Sequence, residues 1–279
     1  MKICRIFAAI VLMTGICLMG FSGIRLLEAK QAYQEGDALY TGLGERVRKT
    51  LHNDEMPQPP LPQYDYVSAE SESGEQLSNE QDVALVYVPP IEIDFETLKE
   101  INEDAVAWIY CPDTKIDYPV IRATEYSYYL NRLPDGTQNT NGTLFIDFNN
   151  ASDFSDPLTV IYGHNMKSGA MFGSLDEYKN QRYYDENPYM YLYTEKGNYR
   201  IDLIYGCVIG AGQWRERAFM YPVNLNKLLL YAEINTTFES SIRYEEGDSI
   251  VALATCSYEF NDARYVVLGV LRRSAIIRE

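Results

Sequence analysis

The chain has few of the residues that hold metal ions and none of their usual clusters. Its 279 residues include five cysteines and two histidines, His52 and His164, with no CxxC pair and no Cys/His cluster. Because a structural zinc site needs about four such ligands at short spacings, we expect neither a metal nor a cofactor. Asp147, Asp153 and Asp156 do not match an EF-hand loop, so the sequence favours a solvated loop over a calcium site.

Positive charge is also scarce. The chain carries 40 acidic and 24 basic side chains, a formal net charge of −16. Residues 50–98 contain eleven Asp or Glu and no Lys or Arg, so much of the acidic excess lies in one segment. Nucleic-acid-binding proteins normally present a basic face to phosphates. Only the short N-terminal region has a basic surplus, which argues against a nucleic-acid partner.

One long apolar run is present near the N-terminus. Residues 6–24, IFAAIVLMTGICLMGFSGI, lack any charge and follow Lys2 and Arg5. This length is close to the ~20 residues that span a bilayer. It exceeds the usual ~7–15-residue core of a cleaved signal peptide, which is the alternative, and no A-x-A-like site follows. We predict a single-pass signal anchor in the cell membrane, with residues 1–5 cytoplasmic and the bulk of the chain extracellular.

Composition divides the rest of the chain into three regions. Residues 25–50 have the apolar spacing of a helical stalk, which the glycines at 36, 42 and 44 weaken. Residues 51–90 are rich in Pro, Ser and Glu and contain few aliphatic residues, so we expect a solvated linker more than a partner-binding segment. Residues 91–279 are predicted to form the folded domain.

The folded domain is predicted to be mostly β. Asp94 can cap a short helix over residues 94–104, with Phe95, Leu98 and Ile101 on one face. Further helices are predicted at 224–236 and near 170–178. Short apolar runs between turn residues indicate a mostly antiparallel barrel or sandwich. These runs are AWIYC, KIDYPVI, TLFIDF, LTVIYGH, MYLYT, YRIDLIYGCVIG, SIVALATC and RYVVLGVLRR.

Three residues at predicted strand ends have the chemistry of a thiol enzyme. Cys256 ends the strand SIVALAT, Arg264 opens the next strand after seven residues, and His164 follows LTVIYG. If the last two strands pair, the guanidinium lies near the thiol, favours the thiolate and can donate hydrogen bonds to an oxyanion. His164 is the only histidine of the folded part and hence the candidate proton carrier.

Each of these residues also has an ordinary structural explanation. A cysteine at the end of an apolar strand is usually a small buried hydrophobe, and a histidine after glycine is usually a turn residue. Spacing alone therefore leaves the catalytic and structural interpretations nearly balanced. Cys111 and Cys207 are predicted to be structural, with a disulfide between them as an open possibility; either way Cys256 stays a free thiol.

The same segments resemble the sortases, membrane-anchored cysteine transpeptidases of Gram-positive bacteria, over about residues 93–273. The motifs are YGHNM at 162–166, MFG at 171–173, Ala254-Thr255-Cys256 and the following YEF and DAR runs. The YGHNM phrase and the helix before the cysteine strand are similar to class B, although Ala254 stands where some members have a hydroxyl residue. The resemblance implies an eight-stranded sortase-type β-barrel with an N-terminal helix and a helix inserted before the cysteine strand.

It also implies the roles of individual residues. Cys256 would be the nucleophile, His164 the acid and base, and Arg264 the oxyanion or substrate clamp. Tyr162, Asn165 and Thr255 are candidates for substrate binding.

The implied reaction cleaves a C-terminal sorting signal of the NPxT or SPxT type after Thr through a thioester. The bound surface protein is then transferred to a peptidoglycan stem or cross-bridge amine. Two alternatives remain at this stage: a sortase that polymerises pilin subunits through lysine, and a surface binding module without enzymatic activity.

Overall fold

A computed structural model of the protein describes residues 2–50, 89–125, 127–219 and 225–273. Most of the predicted 51–90 linker, with His52, lies outside the described residues. The strands in the described ranges are β1 (Arg48–Thr50), β2 (Ile91–Ile93), β3 (Ala105–Tyr110), β4 (Asp117–Arg122), β5 (Leu144–Ile146), β6 (Leu158–Tyr162), β7 (Tyr189–Thr194), β8 (Gly197–Gly210), β9 (Ile250–Cys256) and β10 (Ala263–Arg273). The α-helices there are α1 (Lys2–Val47), α2 (Phe95–Ile101), α3 (Gln181–Glu186), α4 (Ala211–Phe219) and α5 (Leu225–Ile234).

Eight of these strands close into a barrel, as predicted. Their order around the barrel is β10–β8–β7–β3–β4–β5–β6–β9, and each predicted apolar run supplies one strand. Most neighbours are antiparallel, but β4 pairs parallel to β5 and β6 pairs parallel to β9. The second parallel pairing joins the strand that precedes His164 to the strand that ends in Cys256.

The continuous apolar sequence of β9 follows from burial on both of its faces. Val251 and Leu253 belong to the core cluster inside the barrel. The alternate residues Ile250, Ala252 and Ala254 pack on the outside, in the cluster that includes helix α5. Successive side chains of a strand point to opposite faces, so a strand between two cores needs apolar residues at every position.

The helices confirm most of the predicted positions and differ in extent. Asp94 caps α2 by accepting a hydrogen bond from the Thr97 amide at 3.0 Å, but α2 ends at Ile101 because Asn102 is extended. The predicted 170–178 helix is a 3-10 helix, Gly173–Lys179, followed by α3. Helix α5 lies where 224–236 was predicted. The sequence analysis did not predict α4, which has Gly212 in its first turn and the charged run Arg215–Arg217 in its middle.

The first helix joins the predicted anchor and most of the predicted stalk in one element. It runs without interruption from Lys2 to Val47, and the described part contains a stretch long and apolar enough to cross a membrane. That stretch has a mean hydropathy of 1.5 and is not covered by the rest of the protein. A signal sequence has the same properties, so the finding fits a membrane anchor or a signal sequence.

The C-terminal part of α1 packs against the barrel. Tyr40, Leu43 and Val47 are buried, and β1 pairs antiparallel with β2. Arg48 forms an ion pair with Asp117 of β4. The segment predicted as a stalk is therefore attached to the domain at its barrel end.

The two remaining cysteines of the folded part are separate buried thiols. Cys111 belongs to the cluster inside the barrel, whereas Cys207 belongs to the cluster under α5. Both are free, so the structure contains no disulfide between them. Burial raises the pKa of the Cys111 thiol to about 11, which makes it a poor nucleophile at neutral pH.

The packing of α2 on the barrel gives a stability prediction. Leu98 is fully buried, whereas Leu230 on α5 is 57% exposed. We expect Leu98→Ala to lower the free energy of unfolding by about 2–5 kcal/mol, because it leaves a cavity. The matched change Leu230→Ala is expected to stay within about 0.5 kcal/mol of the wild type. Urea denaturation measures both, and equal effects would show that α2 does not contribute to the core.

Candidate active site

The parallel pairing of β6 with β9 brings His164 beside Cys256. Tyr162 of β6 is in register with Ala254 of β9. The pairing continues beyond the strand, since the Gly163 amide donates to the Ala254 carbonyl at 3.2 Å. Counting two residues on from the register pair sets His164 next to Cys256. Sequence spacing did not reveal that the two residues lie near each other, because 92 positions separate them.

The antiparallel pairing of β9 with β10 adds Arg264. Its register partner on β9 is Cys256 itself. Residues directly opposite each other in an antiparallel pair project from the same face with Cα atoms about 4.5–5.5 Å apart. The Arg264 Nη1 donates to the Ala263 carbonyl at 2.9 Å, which restricts the position of the guanidinium beside the thiol. The predicted pairing of these strand ends is confirmed.

The imidazole of His164 is held by a backbone carbonyl. Its Nε2 lies 2.6 Å from the carbonyl oxygen of Leu130, which belongs to a short 3-10 turn that begins at Tyr129. A carbonyl can only accept, so Nε2 must carry the hydrogen of this bond. The neutral ring then has its lone pair on Nδ1, and Nδ1 is the atom that can exchange a proton in the cleft.

The three side chains line one cleft of about 270 Å³. Cys256 is half-buried and free. The cleft walls are mainly apolar. The thiol, imidazole and guanidinium groups lie together at one end of the paired strands. The remaining lining residues are Leu130, Phe145, Tyr162, Gly163, Ala211, Trp214, Arg215, Ala254 and Thr255.

Two of the predicted substrate-binding residues line this cleft, but their hydroxyls already have partners. Thr255 Oγ1 donates to the Gly163 carbonyl at 2.8 Å and so ties the cysteine strand to the histidine strand. Tyr162 OH donates to the carboxylate of buried Asp147 at 3.2 Å. Both residues therefore present carbon atoms to the cleft while their oxygens fix the wall.

Asn165 is placed differently from the expectation that it binds substrate. It is not among the residues that line the cleft. Its Nδ2 donates to the Cys256 carbonyl and to Asp176 Oδ2, each at 2.8 Å. These two bonds use both hydrogens of the amide nitrogen. The geometry thus favours a role in holding the backbone of Cys256.

An ionic cluster continues from Asn165 to the loop after Cys256. Lys179 Nζ contacts Asp176 Oδ1 at 2.8 Å and Glu259 Oε1 at 2.5 Å. Ser257 Oγ donates to the Glu259 carboxylate. Burial acts to raise the pKa of Glu259, but the hydrogen bonds from Lys179 and Ser257 outweigh it and lower the pKa to about 2. The loop is therefore fastened to the 3-10 helix at Gly173–Lys179.

Several residues of the site were not found from the sequence. Trp214 and Arg215 come from α4, and Leu130 and Phe145 come from distant parts of the chain. The one available signal was Trp214, since the chain has only two tryptophans and this one stands between a strand and the 225–234 helix. Leu130 contributes through its main chain, which no side-chain pattern indicates.

The closed eight-stranded barrel, with cysteine, histidine and arginine around one cleft, has the fold and the residue types that the resemblance to the sortase class implies. Comparisons of sequence agree. The chain is 28% identical to sortase B of Listeria monocytogenes over 157 residues, 55% of this chain and 63% of that protein. It is 25% identical to sortase B of Staphylococcus aureus over 178 residues, 63% of this chain and 73% of that protein. The Listeria match thus spans slightly less than two thirds of that relative. No family model matches the chain.

Solved structures give the same result. Clostridium perfringens sortase B has a TM-score of 0.59 and 28% identity, over 64% of this chain and 99% of that one. A Staphylococcus aureus sortase B–substrate complex has a TM-score of 0.60 and 25% identity, over 65% and 85% of the two chains. Another sortase B structure, also 25% identical, is a complex with triglycine. The protein belongs to the sortase B family.

The lowered pKa of Glu259 gives a pH-dependent prediction. A carboxyl group whose pKa is lowered by folding stabilises the protein above its ordinary pKa, near 4.5, and loses this contribution as the pH falls toward 2. We expect Glu259→Gln to reduce stability at pH 7 by less than ~1 kcal/mol, since the pair is partly exposed to solvent. The difference from wild type should close between pH 4.5 and 2.

Urea midpoints measured from pH 7 to pH 2 test this expectation. Glu100→Gln, on the exposed surface of α2, is the matched control for loss of one negative charge. A difference that stays constant down to pH 2, or one that Glu100→Gln reproduces, would contradict a specific Glu259–Lys179 contribution.

Proposed function

We propose that this protein is a cysteine transpeptidase that cleaves a sorting signal after threonine and transfers the acyl group to an amine. The observation that carries the proposal is the convergence of Cys256, His164 and Arg264 on one cleft through the register of three adjacent strands. Membership of the sortase B family supports the same chemistry.

The first acyl transfer forms a thioester. The Cys256 thiolate attacks the threonine carbonyl carbon, and the carbonyl electrons move to oxygen. Arg264 donates hydrogen bonds to this oxyanion, and its charge persists throughout because guanidinium does not deprotonate. When the carbon–nitrogen bond breaks, the His164 imidazolium gives its Nδ1 proton to the departing amine. The thioester of Cys256 and neutral His164 remain.

The second acyl transfer releases the enzyme. His164 Nδ1 accepts a proton from an incoming amine as the nitrogen attacks the thioester carbonyl. Collapse of the oxyanion breaks the carbon–sulfur bond, forms an amide and returns the Cys256 thiolate. The Leu130 carbonyl holds Nε2 through both steps, so the same nitrogen gives and takes the proton.

The proposed donor is an extended sorting signal of the NPxT or SPxT type, and the proposed acceptor is a peptidoglycan stem or cross-bridge amine. The largely apolar walls of the cleft suit an extended peptide. Related sortase B structures contain a substrate or triglycine, and triglycine is a peptide with a free amine. The apolar part of α1 supports a membrane location with the catalytic domain outside the cell.

Intact-mass measurement tests the proposal. The purified full chain is mixed with NPxTG-, SPxTG- and LPxTG-type peptides, with and without triglycine. We expect a covalent adduct equal to the acyl part of the peptide, and a triglycine-linked product when the amine is present. Cys256→Ala should give neither, while Cys207→Ala, which removes a buried thiol under α5, should retain both.

The products also separate this function from its alternatives. Covalent ladders of a lysine-bearing protein substrate would indicate a polymerising sortase. Absence of any adduct or cleavage across a broad panel of signals would contradict transpeptidation and favour a binding module.

Trp214 is proposed to contact the bound peptide. Its side chain is buried at 3% exposure and lines the cleft, and its Nε1 has no hydrogen-bond partner among the described residues. A buried donor without a partner costs about 1–3 kcal/mol, so a peptide oxygen that accepts from it would be favoured. We expect Trp214→Phe to raise KM about 2- to 10-fold with little change in kcat. Steady-state kinetics measure this, and an unchanged KM would contradict the contact.

A further inference from the structure

The barrel end of α1 contacts one loop, residues 139–143, through polar groups. Asn139 Nδ2 donates to the Ala32 carbonyl of α1 at 2.7 Å. Asn141 Nδ2 donates to Asp37 Oδ1 at 3.2 Å. Asn139 and Asn141 are both buried. Because buried polar groups are costly unless they are hydrogen-bonded, the loop depends on α1 for partners that the barrel does not supply.

Tyr40 continues this contact at the next turns of α1. Its hydroxyl donates to the Gly142 carbonyl at 2.5 Å and lies 3.1 Å from Thr143 Oγ1. The Tyr40 side chain is buried, and its ring meets that of Tyr118 edge to face at 5.1 Å. The loop is therefore held along about two turns of the helix.

The glycine at position 36 allows this close approach. A Cβ atom there would lie 2.9 Å from Asn141 Cγ and 3.1 Å from Asn139 Oδ1, which is closer than normal contact. The glycine at position 42 of the same helix has no atom within 4 Å of the equivalent point. Gly36 thus lets α1 pack closely against Asn139 and Asn141, although glycine in general destabilises a helix.

The other side of the loop touches the catalytic histidine and its support. Gly142 has a φ of +62°, and a Cβ atom there would lie 2.7 Å from the Leu130 carbonyl oxygen and 3.0 Å from His164 Cδ2. The Thr143 amide donates to the Tyr129 carbonyl at 2.9 Å. The loop consequently lies between α1 and the pair formed by Leu130 and His164.

We propose that α1 is a positioning element of the active site, which sets His164 through Gly36, Tyr40, the 139–143 loop and the Leu130 carbonyl. No residue of α1 is among the described residues that line the cleft. The helix fixes the loop that bounds the imidazole on one side and the carbonyl that determines which nitrogen exchanges protons. The catalytic consequence rests on the proposed function, whereas the effect on the His164 ring does not.

Paired glycine substitutions in the full chain, in detergent micelles, test the proposal. Gly36→Ala forces a methyl group against Asn141, while Gly42→Ala makes the same chemical change in open space. Both variants replace a glycine of α1 by alanine, so both gain the same helix propensity, and a difference between them reports the contact with Asn141. Tyr40→Phe, which removes only the hydroxyl contacts with Gly142 and Thr143, is the milder variant if Gly36→Ala does not fold.

The first measurement is independent of activity. The protein has only two histidines, so histidine labelled at Cε1 gives two NMR signals, and His52→Gln assigns them. We expect Gly36→Ala and Tyr40→Phe to shift the His164 signal, with Gly42→Ala unchanged. Circular dichroism of each variant distinguishes a local displacement from unfolding of the barrel.

The second measurement is catalysis with the signal that gives a thioester. We expect kcat to fall about 10- to 100-fold in Gly36→Ala, because a misplacement near 1 Å costs about this much, while KM changes little. A His164 signal and kcat that are the same in Gly36→Ala, Tyr40→Phe and Gly42→Ala would overturn the proposal. A shifted signal in a chain without transpeptidation would support the positioning role and count against the proposed function instead.

Discussion

The register of β9 against its two neighbours is the constraint on which the site depends. One strand pairs parallel with β6 and antiparallel with β10. This places the ends of three strands at the same edge of the barrel, with His164, Cys256 and Arg264 next to one another. A shift of one residue would turn each side chain to the opposite face. The apolar residues on both faces of β9 oppose such a shift, because either face would lose its core.

The same register explains why polar groups surround the reacting atoms without entering the reaction. Thr255 joins the two parallel strand ends, and Asn165 holds the carbonyl of Cys256. Lys179 and Glu259 fasten the following loop. Each bond restrains the main chain near the thiol and leaves the side chain of Cys256 in the cleft. Preorganisation of this kind lets a site stabilise developing charge with little rearrangement.

Much of the fold could be predicted from the sequence, since strands and helices follow from local periodicity. All eight barrel strands, the Asp94 cap and α5 correspond to patterns along the chain. The nearness of Arg264 to Cys256 could also be predicted, because one short loop joins their strands. The nearness of His164 to Cys256 could not be derived from spacing and was expected only from the resemblance to a family.

What the sequence did not indicate arises from main-chain groups and from packing between distant segments. The Leu130 carbonyl has no side-chain signature, and α4 is short, with a glycine in its first turn and a charged run in its middle. Gly36 is the clearest example, because in isolation it only weakens a helix. Against the barrel it permits α1 to approach Asn141 closely. A residue that is unfavourable for an isolated helix thus allows a contact between the helix and the loop beside His164.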